Sequence, residues 1–275
     1  MPRIPYLYHS FQRRNAGSDR SRSVQVLKSI LTHGLLITPE IVDWRTSGGQ
    51  GFQVAQKRLC LTSLEEGELA THARLFGPIT LGFRRSLMEE IGAVPVFYVP
   101  RSLGAGRKKR NLGGFQLERL YQTLHVVSHA RQAGSEVDFG GRPVNLQDIE
   151  SFIRYLTTQF YPIEDVEGDR DRFYLAQKEW RVQGNLIYEG EPLSRRLTDV
   201  EAEHVHSLDA EFFDRNQQFP TGTYRRIEQC MLMPSIGKQP VGAAIARVVA
   251  PSDLLGEVMS IFQTLDLTPE FVGLE

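Results

Sequence analysis

Residues 57–100 read KRLCLTSLEEGELATHARLFGPITLGFRRSLMEEIGAVPVFYVP, and here short apolar runs alternate with amphipathic segments. The pattern predicts a strand at 59–61, a helix from about 64 to 76, a strand at 79–83, a short helix at 86–91 and a strand at 94–99. The first strand ends in the hydroxyl pair Thr62-Ser63, and the helix after it carries His72 and Arg74. Polar groups are therefore expected to gather at one edge of a buried sheet.

The composition is that of an ordinary globular protein. The chain has 275 residues, of which 41% are hydrophobic and 24% charged, so it is long and apolar enough to bury a core. Its formal net charge of -1 argues against a dedicated nucleic-acid coat, because phosphate binding usually shows as a basic excess.

The cysteine content and the hydropathy indicate the compartment. Cys60 and Cys230 are too few for a disulfide framework, so we expect a reducing, cytoplasmic setting. The N-terminus lacks the apolar core of a signal peptide, and no run approaches the roughly 20 apolar residues that a membrane helix needs. We expect no contact with a membrane.

The segment before this central stretch predicts a strand and a helix. Residues 4–11, IPYLYHSF, are rich in aromatic and apolar side chains, and His9 falls at the end of that strand. Apolar residues recur at helical spacing over 24–36, with Ser23 as the expected N-cap and Gly34 as the expected stop.

Two long helices are predicted in the middle of the chain. Residues 115–133 and 146–160 carry apolar side chains at i, i+3, i+4 and i+7. We interpret them as a helical insertion at about 115–160 in a single α+β domain that covers residues 1–275. The alternative is that the two helices form a small helical subdomain. The Gly-rich segment RTSGGQGFQVAQ at 45–56 is expected to be a loop.

A dense basic run, RSLGAGRKKRNLGG, follows the central stretch at 101–114. Such a run is typical of a solvated surface loop. The functional alternative is contact with nucleic acid or an acidic partner through Arg107, Lys108, Lys109 and Arg110.

A late strand is predicted around KEWRV. Its alternation puts Glu179 and Arg181 on one face and Trp180 and Val182 on the other. A charged face near the centre of a sheet must be paired or functional, because an unpaired buried charge is very costly.

The last third predicts three further elements. They are a strand near 227–233, a strand at 241–249 and a helix at 253–265 that is capped by Ser252.

Metal and thiol chemistry are weakly indicated. His125 and His129 lie four apart on a helix, but the motif H-V-V-S-H has no Glu after the first His and no clear third ligand. Cys60 lies inside a strand rather than at a helix N-terminus, where a thiolate would be stabilised. We expect no metal site and no covalent thiol chemistry.

One constellation is more specific. His9 ends the first strand, Thr62-Ser63 end a middle strand, and Glu179 with Arg181 lie on a late strand. This order resembles that of ADP-ribosyltransferase folds, in which a His or Arg and a hydroxyl hold the nicotinamide ribose of NAD. In those folds a Glu accepts a hydrogen bond from the ribose and stabilises the cation that forms as nicotinamide leaves. The alternative is that each residue is structural, with His9 packed, Thr62-Ser63 capping a helix, and Glu179 paired with Arg181 or Arg74.

Further blocks carry a resemblance to a narrower family. The runs LCLTSL, HARLFGPITLGFRR and GAVPVFYV, followed by KEWR, resemble the AbiGi family, the antitoxin of a bacterial abortive phage-resistance system. The opening YLYHSF with L-x-x-I-L-x-x-G-L-L resembles the start of DarT-like and RNA phosphotransferase-like ADP-ribosyltransferases. Together these resemblances imply an α+β fold with a split, mostly antiparallel sheet and a role in anti-phage defence.

The resemblance also implies roles for individual residues. An enzyme would modify nucleic acid or protein with NAD as its substrate, with Glu179, His9 and Ser63 as catalytic residues. Four residues would bind the NAD, namely Thr62, His72, Arg74 and Arg181. Arg74 or Arg181 would contact its pyrophosphate. The alternative is a non-catalytic antitoxin or sensor, and in either case we expect a cognate toxin or antitoxin as partner.

Overall fold

The computed structural model describes residues 5–11, 20–45, 51–100, 112–138, 140–163, 178–219 and 222–275. The chain divides into two compact units. Unit 1 comprises Met1–Glu40, Lys57–Pro95 and Gln177–Glu275, and unit 2 comprises Ile41–Gln56 and Val96–Ala176. Both helices predicted as an insertion belong to unit 2, and the single domain stays a prediction.

The described strands are β1 Tyr6–Ser10, β2 Leu35–Arg45, β3 Gly51–Thr62, β4 Thr80–Arg84, β5 Val94–Pro95, β6 Phe97–Pro100, β7 Phe160–Ile163, β8 Glu179–Gln183, β9 Ile187–Tyr188, β10 Glu191–Pro192, β11 Arg195–Arg196, β12 Asn216–Phe219, β13 Gly222–Arg225, β14 Met231–Met233, β15 Ser235–Ile236, β16 Gln239–Pro240, β17 Ile245–Pro251 and β18 Glu270–Leu274. The described helices are α1 Arg20–His33, α2 Glu66–Phe76, α3 Arg85–Glu90, α4 Leu112–Gln132, α5 Leu146–Gln159, α6 Asp199–Leu208, α7 Ala210–Phe213, α8 Val241–Ala244 and α9 Ser252–Thr264, with a 3₁₀ helix at Arg226–Gln229.

The main sheet is mixed and largely antiparallel, which confirms the predicted α+β class. Its strands follow the order β11-β14-β2-β3-β1-β4-β17-β18, with β8 paired to β3 off this path and β5 paired to β8. The β17–β18 pair is parallel, whereas β1–β4, β4–β17 and β3–β8 are antiparallel.

Alternation along the strands builds the core of unit 1. Leu59 and Leu61 of β3 and Val182 of β8 are at most 1% exposed and belong to one apolar cluster. The same cluster contains Leu27 of α1, whose buried residues recur at helical spacing. One face of these strands is therefore apolar, and the side chains between the apolar ones project from the opposite face.

Helix α1 ends where the sequence predicted. Gly34 adopts a φ of 116°, which favours glycine, and a Cβ at this position would collide with the backbone of Met233. The predicted N-cap was wrong, because α1 begins at Arg20 and Ser23 is a buried residue within it.

Helix α2 is not capped by Thr62-Ser63, the structural role that the sequence left open for this pair. Glu65 is the N-cap, and it forms a capping box with Glu68. The hydroxyls of Thr62 and Ser63 are therefore not needed to cap this helix.

Several predicted boundaries of helices and strands were wrong. Leu35 and Leu36, which the predicted helix included, begin β2, and the segment 45–56 predicted as a loop is strand at Arg45 and from Gly51 onward. The strand predicted at 94–99 is two short strands in different sheets, since β5 pairs with β8 and β6 pairs with β7.

Two further boundaries in the last third also differ. Val241–Ala244 is a helical turn before β17 begins. The N-cap of α9 is Pro251, and the Ser252 hydroxyl donates to the Leu274 carbonyl instead.

Unit 2 contains the two long helices and a parallel strand pair. The predicted helices are confirmed as α4 and α5. Glu150 of α5 accepts hydrogen bonds from Arg131 of α4 and from Arg154 one turn along its own helix. The basic residues Arg107 to Arg110 lie outside the described residues. Within the part of the chain that is described, no helix is both long and apolar enough to span a bilayer.

Candidate functional site

A polar ladder runs across β3 and β8. In the antiparallel register, Thr62 lies opposite Glu179, Cys60 opposite Arg181 and Arg58 opposite Gln183. Residues directly opposite each other project from the same face of a sheet, so these six side chains share one face. Four of them are less than 9% exposed, namely Arg58, Thr62, Arg181 and Gln183. This face is opposite to the one that packs into the apolar core. Because its polar groups are buried, they need hydrogen-bond or ion-pair partners.

The ladder ends at a seam between β1 and β3. Among the described residues, these two strands are in register only where Tyr8 lies opposite Thr62, whereas β1 pairs with β4 at five positions. Beyond Tyr8, the His9 ring bridges the seam, since its Nδ1 lies 2.9 Å from the Cys60 carbonyl oxygen. The sheet is therefore open at this point.

A cavity of about 540 Å³ lies in unit 1 at this seam. It is lined by His9, Thr62, His72 and Glu179, which come from four separate segments of the chain, and by Arg58 and Cys60 of the ladder. Its volume falls within the range of small-molecule sites, about 300–1,000 Å³. The cavity is thus a candidate ligand site, and one of its walls is the polar face of β3 and β8.

Glu179 is the anion of that wall. Arg181 donates to it through Nε at 3.0 Å and Nη2 at 3.4 Å. Burial raises the pKa of the Glu179 carboxyl, but the charges of Arg181 and Arg58 outweigh burial and hold the pKa below its usual value. Glu179 is therefore ionised at neutral pH and cannot serve as a proton donor. It can stabilise a positive charge that develops in the cavity.

The two guanidiniums differ in access. Arg181 is fully buried and does not line the cavity, whereas Arg58 lines it and pairs with Glu40, another lining residue. The carboxylate of Glu179 is thus closer to a bound ligand than the cation of Arg181 that orients it.

His9 is held as a neutral base. A carbonyl oxygen can only accept, so Nδ1 of His9 must carry the proton that it shares with the Cys60 carbonyl. Burial lowers the pKa of the His9 ring, which leaves Nε2 unprotonated at neutral pH. The imidazole can accept a proton or a hydrogen bond from a ligand hydroxyl.

His72 is a second neutral imidazole. Its ring stacks on Phe76 with the centroids 4.5 Å apart. Burial and the neighbouring His9 lower the pKa of His72 to about 4. The wall therefore carries no histidine charge at neutral pH.

Cys60 is a poor nucleophile. Burial and the nearby Glu179 raise the pKa of its thiol to about 11. This agrees with the sequence interpretation, because a thiol that stays protonated is a poor nucleophile.

The other end of the cavity is formed by α1, α6, α7 and the 3₁₀ helix. Arg226 lines it, and its guanidinium lies 4.0 Å from the centroid of the Phe212 ring. Nη1 of Arg226 donates to the Phe212 carbonyl at 3.3 Å. Gln217 also lines this end, and Arg22 pairs there with Asp209.

The predicted site residues separate into two groups. His9, Thr62, His72 and Glu179 line the cavity together. The other three do not line it: Ser63 is buried beside Thr62, Arg74 is exposed on α2 and donates to Thr71, and Arg181 lies behind Glu179.

Sequence reasoning missed Arg58, Glu40 and Arg226. The first had a readable signal, because Arg58, Cys60 and Thr62 alternate along a strand that continues before Leu59. Glu40 and Arg226 reach the cavity only through contacts between distant segments, which no local pattern reports.

Within the described residues, no group of three or more His, Cys, Asp or Glu side chains is arranged to hold a metal ion. Comparison with protein-family models, with curated proteins and with solved structures finds no match to this chain. The assignment that follows therefore depends on the geometry of the cavity and on the resemblances described above.

Proposed function

We propose that unit 1 is an ADP-ribosyltransferase-like enzyme that binds NAD in the cavity and transfers ADP-ribose to nucleic acid or protein. One observation carries this proposal: His9, Thr62 and Glu179, which come from distant parts of the chain, line a single cavity at the open seam of the sheet. A neutral imidazole, a hydroxyl and an ionised carboxylate are the groups that this reaction requires.

The proposed step breaks the glycosidic bond between the ribose C1′ and the nicotinamide nitrogen. Nicotinamide leaves with the electron pair, and the ribose becomes an oxocarbenium cation. An acceptor oxygen or nitrogen then bonds to C1′ and loses its proton. Glu179 would accept from the ribose 2′-hydroxyl and stabilise the cation, because fixed charge is most effective where charge develops.

The other groups would have supporting tasks. The Thr62 hydroxyl would bind the same ribose. Nε2 of His9 would accept from a ribose hydroxyl or take the acceptor's proton, because the lowered pKa of His9 leaves this nitrogen unprotonated at neutral pH. Arg181 would keep the Glu179 carboxylate ionised and oriented.

The test must separate lost catalysis from lost folding. Glu179→Gln alone breaks the ion pair of the buried Arg181 with Glu179, so a loss of activity could reflect a damaged fold. The double variant Glu179→Gln/Arg181→Met removes both charges of the pair and is expected to keep more of the fold. Glu150→Gln is the matched control, because Glu150 is also held by two arginines but belongs to unit 2.

We expect the wild-type protein to release nicotinamide from NAD and to melt at a higher temperature in its presence. A ligand at 100 times its Kd stabilises by about 2.7 kcal/mol. The folded double variant should lose nicotinamide release by about 10²–10³-fold, the usual scale for one charge-stabilising group, and Glu150→Gln should not. If the wild type neither releases nicotinamide nor gains stability from NAD, the enzyme proposal is wrong.

A non-catalytic binding protein is the second candidate. The complete burial of Arg181 favours it, because a buried ion pair is also used to fix a structure. In that case the wild type would neither cleave NAD nor gain thermal stability from it, and Glu179→Gln would lower stability rather than an activity. The proposed setting for either function is cytoplasmic defence against phage with a cognate toxin or antitoxin, and this setting depends on the resemblance to AbiGi.

A further inference from the structure

The end of the cavity around Arg226 has an arginine whose charge is not matched. Among the described residues, no carboxylate forms an ion pair with Arg226, and its contacts are the Phe212 ring and the Phe212 carbonyl. The other arginines that line the cavity are paired, Arg22 with Asp209 and Arg58 with Glu40. Arg226 is therefore the lining cation with capacity for an anion from outside the chain.

The geometry of the Arg226 guanidinium favours an anion with two oxygens side by side, a phosphate or a carboxylate. Nη1 is occupied by the Phe212 carbonyl, whereas Nε is buried without a hydrogen-bond partner in the described part of the chain. Nε and Nη2 form the edge of the fork that binds phosphate or carboxylate with two parallel hydrogen bonds. A buried N–H without an acceptor is costly, and a ligand oxygen on this edge would remove that cost.

A neighbouring group points to a sugar phosphate rather than a bare ion. Oε1 of Gln217, which lines the same end, is also buried without a partner among the described atoms. An amide oxygen accepts from a hydroxyl. A phosphate on Arg226 and a sugar hydroxyl on Gln217 would satisfy both groups at once.

We infer that Arg226 is the residue that binds the pyrophosphate of a nucleotide in this cavity, with Gln217 on the adjoining ribose. The inference deepens the proposed function and rests on it for the identity of the ligand as NAD. It also assigns to Arg226 the pyrophosphate contact that the resemblance implied for Arg74 or Arg181, neither of which lines the cavity.

The probes are ADP-ribose, which carries the pyrophosphate, and adenosine, which does not. Neither contains the bond to nicotinamide, so binding is measured apart from catalysis. The variant is Arg226→Gln, and the matched control is Arg225→Gln, because Arg225 is the adjacent residue and pairs on the surface with Glu228. Arg226→Lys keeps the charge without the planar fork.

We expect Arg226→Gln to weaken ADP-ribose binding about tenfold or more in calorimetry, the usual effect of losing a hydrogen bond to a charged group. Adenosine binding should change less than about twofold, since only the pyrophosphate contact is removed. Arg226→Lys should fall between the wild type and Arg226→Gln, and Arg225→Gln should match the wild type. A wild-type protein that binds ADP-ribose no better than adenosine would overturn the inference.

The two proposals can fail separately. If ADP-ribose binds in an Arg226-dependent way but NAD is not cleaved, the subsite stands and the reaction does not. If NAD is cleaved and Arg226→Gln leaves both KM and ADP-ribose affinity unchanged, the reaction stands and the subsite does not. A loss of affinity for adenosine as large as that for ADP-ribose would show that Arg226 acts through the fold and would also overturn the inference.

Discussion

Each unit holds a glutamate between two arginines, but the two clusters differ in their contact with solvent. In unit 2, the Glu150 side chain is 8% exposed, while Arg131 and Arg154 are 44% and 58% exposed. In unit 1, the side chain of Glu179 is 10% exposed, while Arg181 and Arg58 are 0% and 4% exposed. The two anions have similar exposed fractions, whereas those of the cations differ widely. Desolvation also weighs more on Glu179 than on Glu150.

The exposure of the arginines distinguishes a surface ion-pair cluster from a candidate ligand site. Arg131 and Arg154 keep their charges partly in water, so the Glu150 cluster is explained by the packing of α4 against α5 and carries little cost. Arg181 and Arg58 are removed from water on the polar face of β3 and β8. The attraction within a buried pair only partly offsets such desolvation. The Glu179 cluster therefore calls for a reason beyond stability, and the cavity beside it provides one.

The comparison predicts very different costs for the same substitution. Glu179→Gln should lower the free energy of unfolding by about 3–5 kcal/mol, because it removes the carboxylate that pairs with a fully buried guanidinium. Glu150→Gln should cost no more than about 1 kcal/mol, because its partners reach water. Hydrogen exchange at pH 7 measures the loss in each unit, and equal losses would remove the distinction between the clusters.

Acid should reveal the same contrast between the units. The pKa of His72 is about 4 in the folded chain and that of His9 is also lowered, so the stability from these neutral rings is complete above pH 6.5 and is lost as the pH falls towards 4. The pKa of Glu150 is lowered to about 2, mainly by its hydrogen bonds with Arg154 and Arg131, so its contribution is lost only between about pH 4.5 and 2.

We therefore expect acid to weaken unit 1 first. Between pH 6.5 and 4.5, the opening free energy that hydrogen exchange gives for unit 1, corrected for the intrinsic exchange rate at each pH, should fall by up to about 1.4 kcal/mol per pH unit for each histidine. His72→Gln should reduce this dependence, and a variant as acid-sensitive as the wild type would exclude His72 as a cause.

Parts of the fold that depend on local pattern could be predicted. Helices α4 and α5 and strand β4 follow from periodicity within each segment. The strand between residues 51 and 56 could not be found in this way, because Gly-Gly suggests a loop and only pairing with another strand makes it regular.

In the candidate site too, local pattern predicted some features and could not predict those that depend on contacts between distant segments. Glu179 and Arg181 could be placed on one strand face because their spacing fixes it. The register that brings Thr62 opposite both Tyr8 and Glu179 joins segments more than 50 residues apart, and no local signal encodes it. Arg226 escaped prediction for the same reason, since an isolated RR pair reads as surface charge.

The smallest predicted effects concern the two exposed arginines of unit 2. Arg154 makes the larger contribution to the lowered pKa of Glu150 and Arg131 the smaller. Arg154→Gln should therefore raise the pKa of Glu150 further than Arg131→Gln does, and each should cost less than about 1 kcal/mol of stability. Carboxyl titration by nuclear magnetic resonance measures the first effect and urea unfolding the second. A larger cost for either arginine would mean that the Glu150 cluster is as demanding as the Glu179 cluster, and the burial of the cations would then no longer distinguish a site from a bridge.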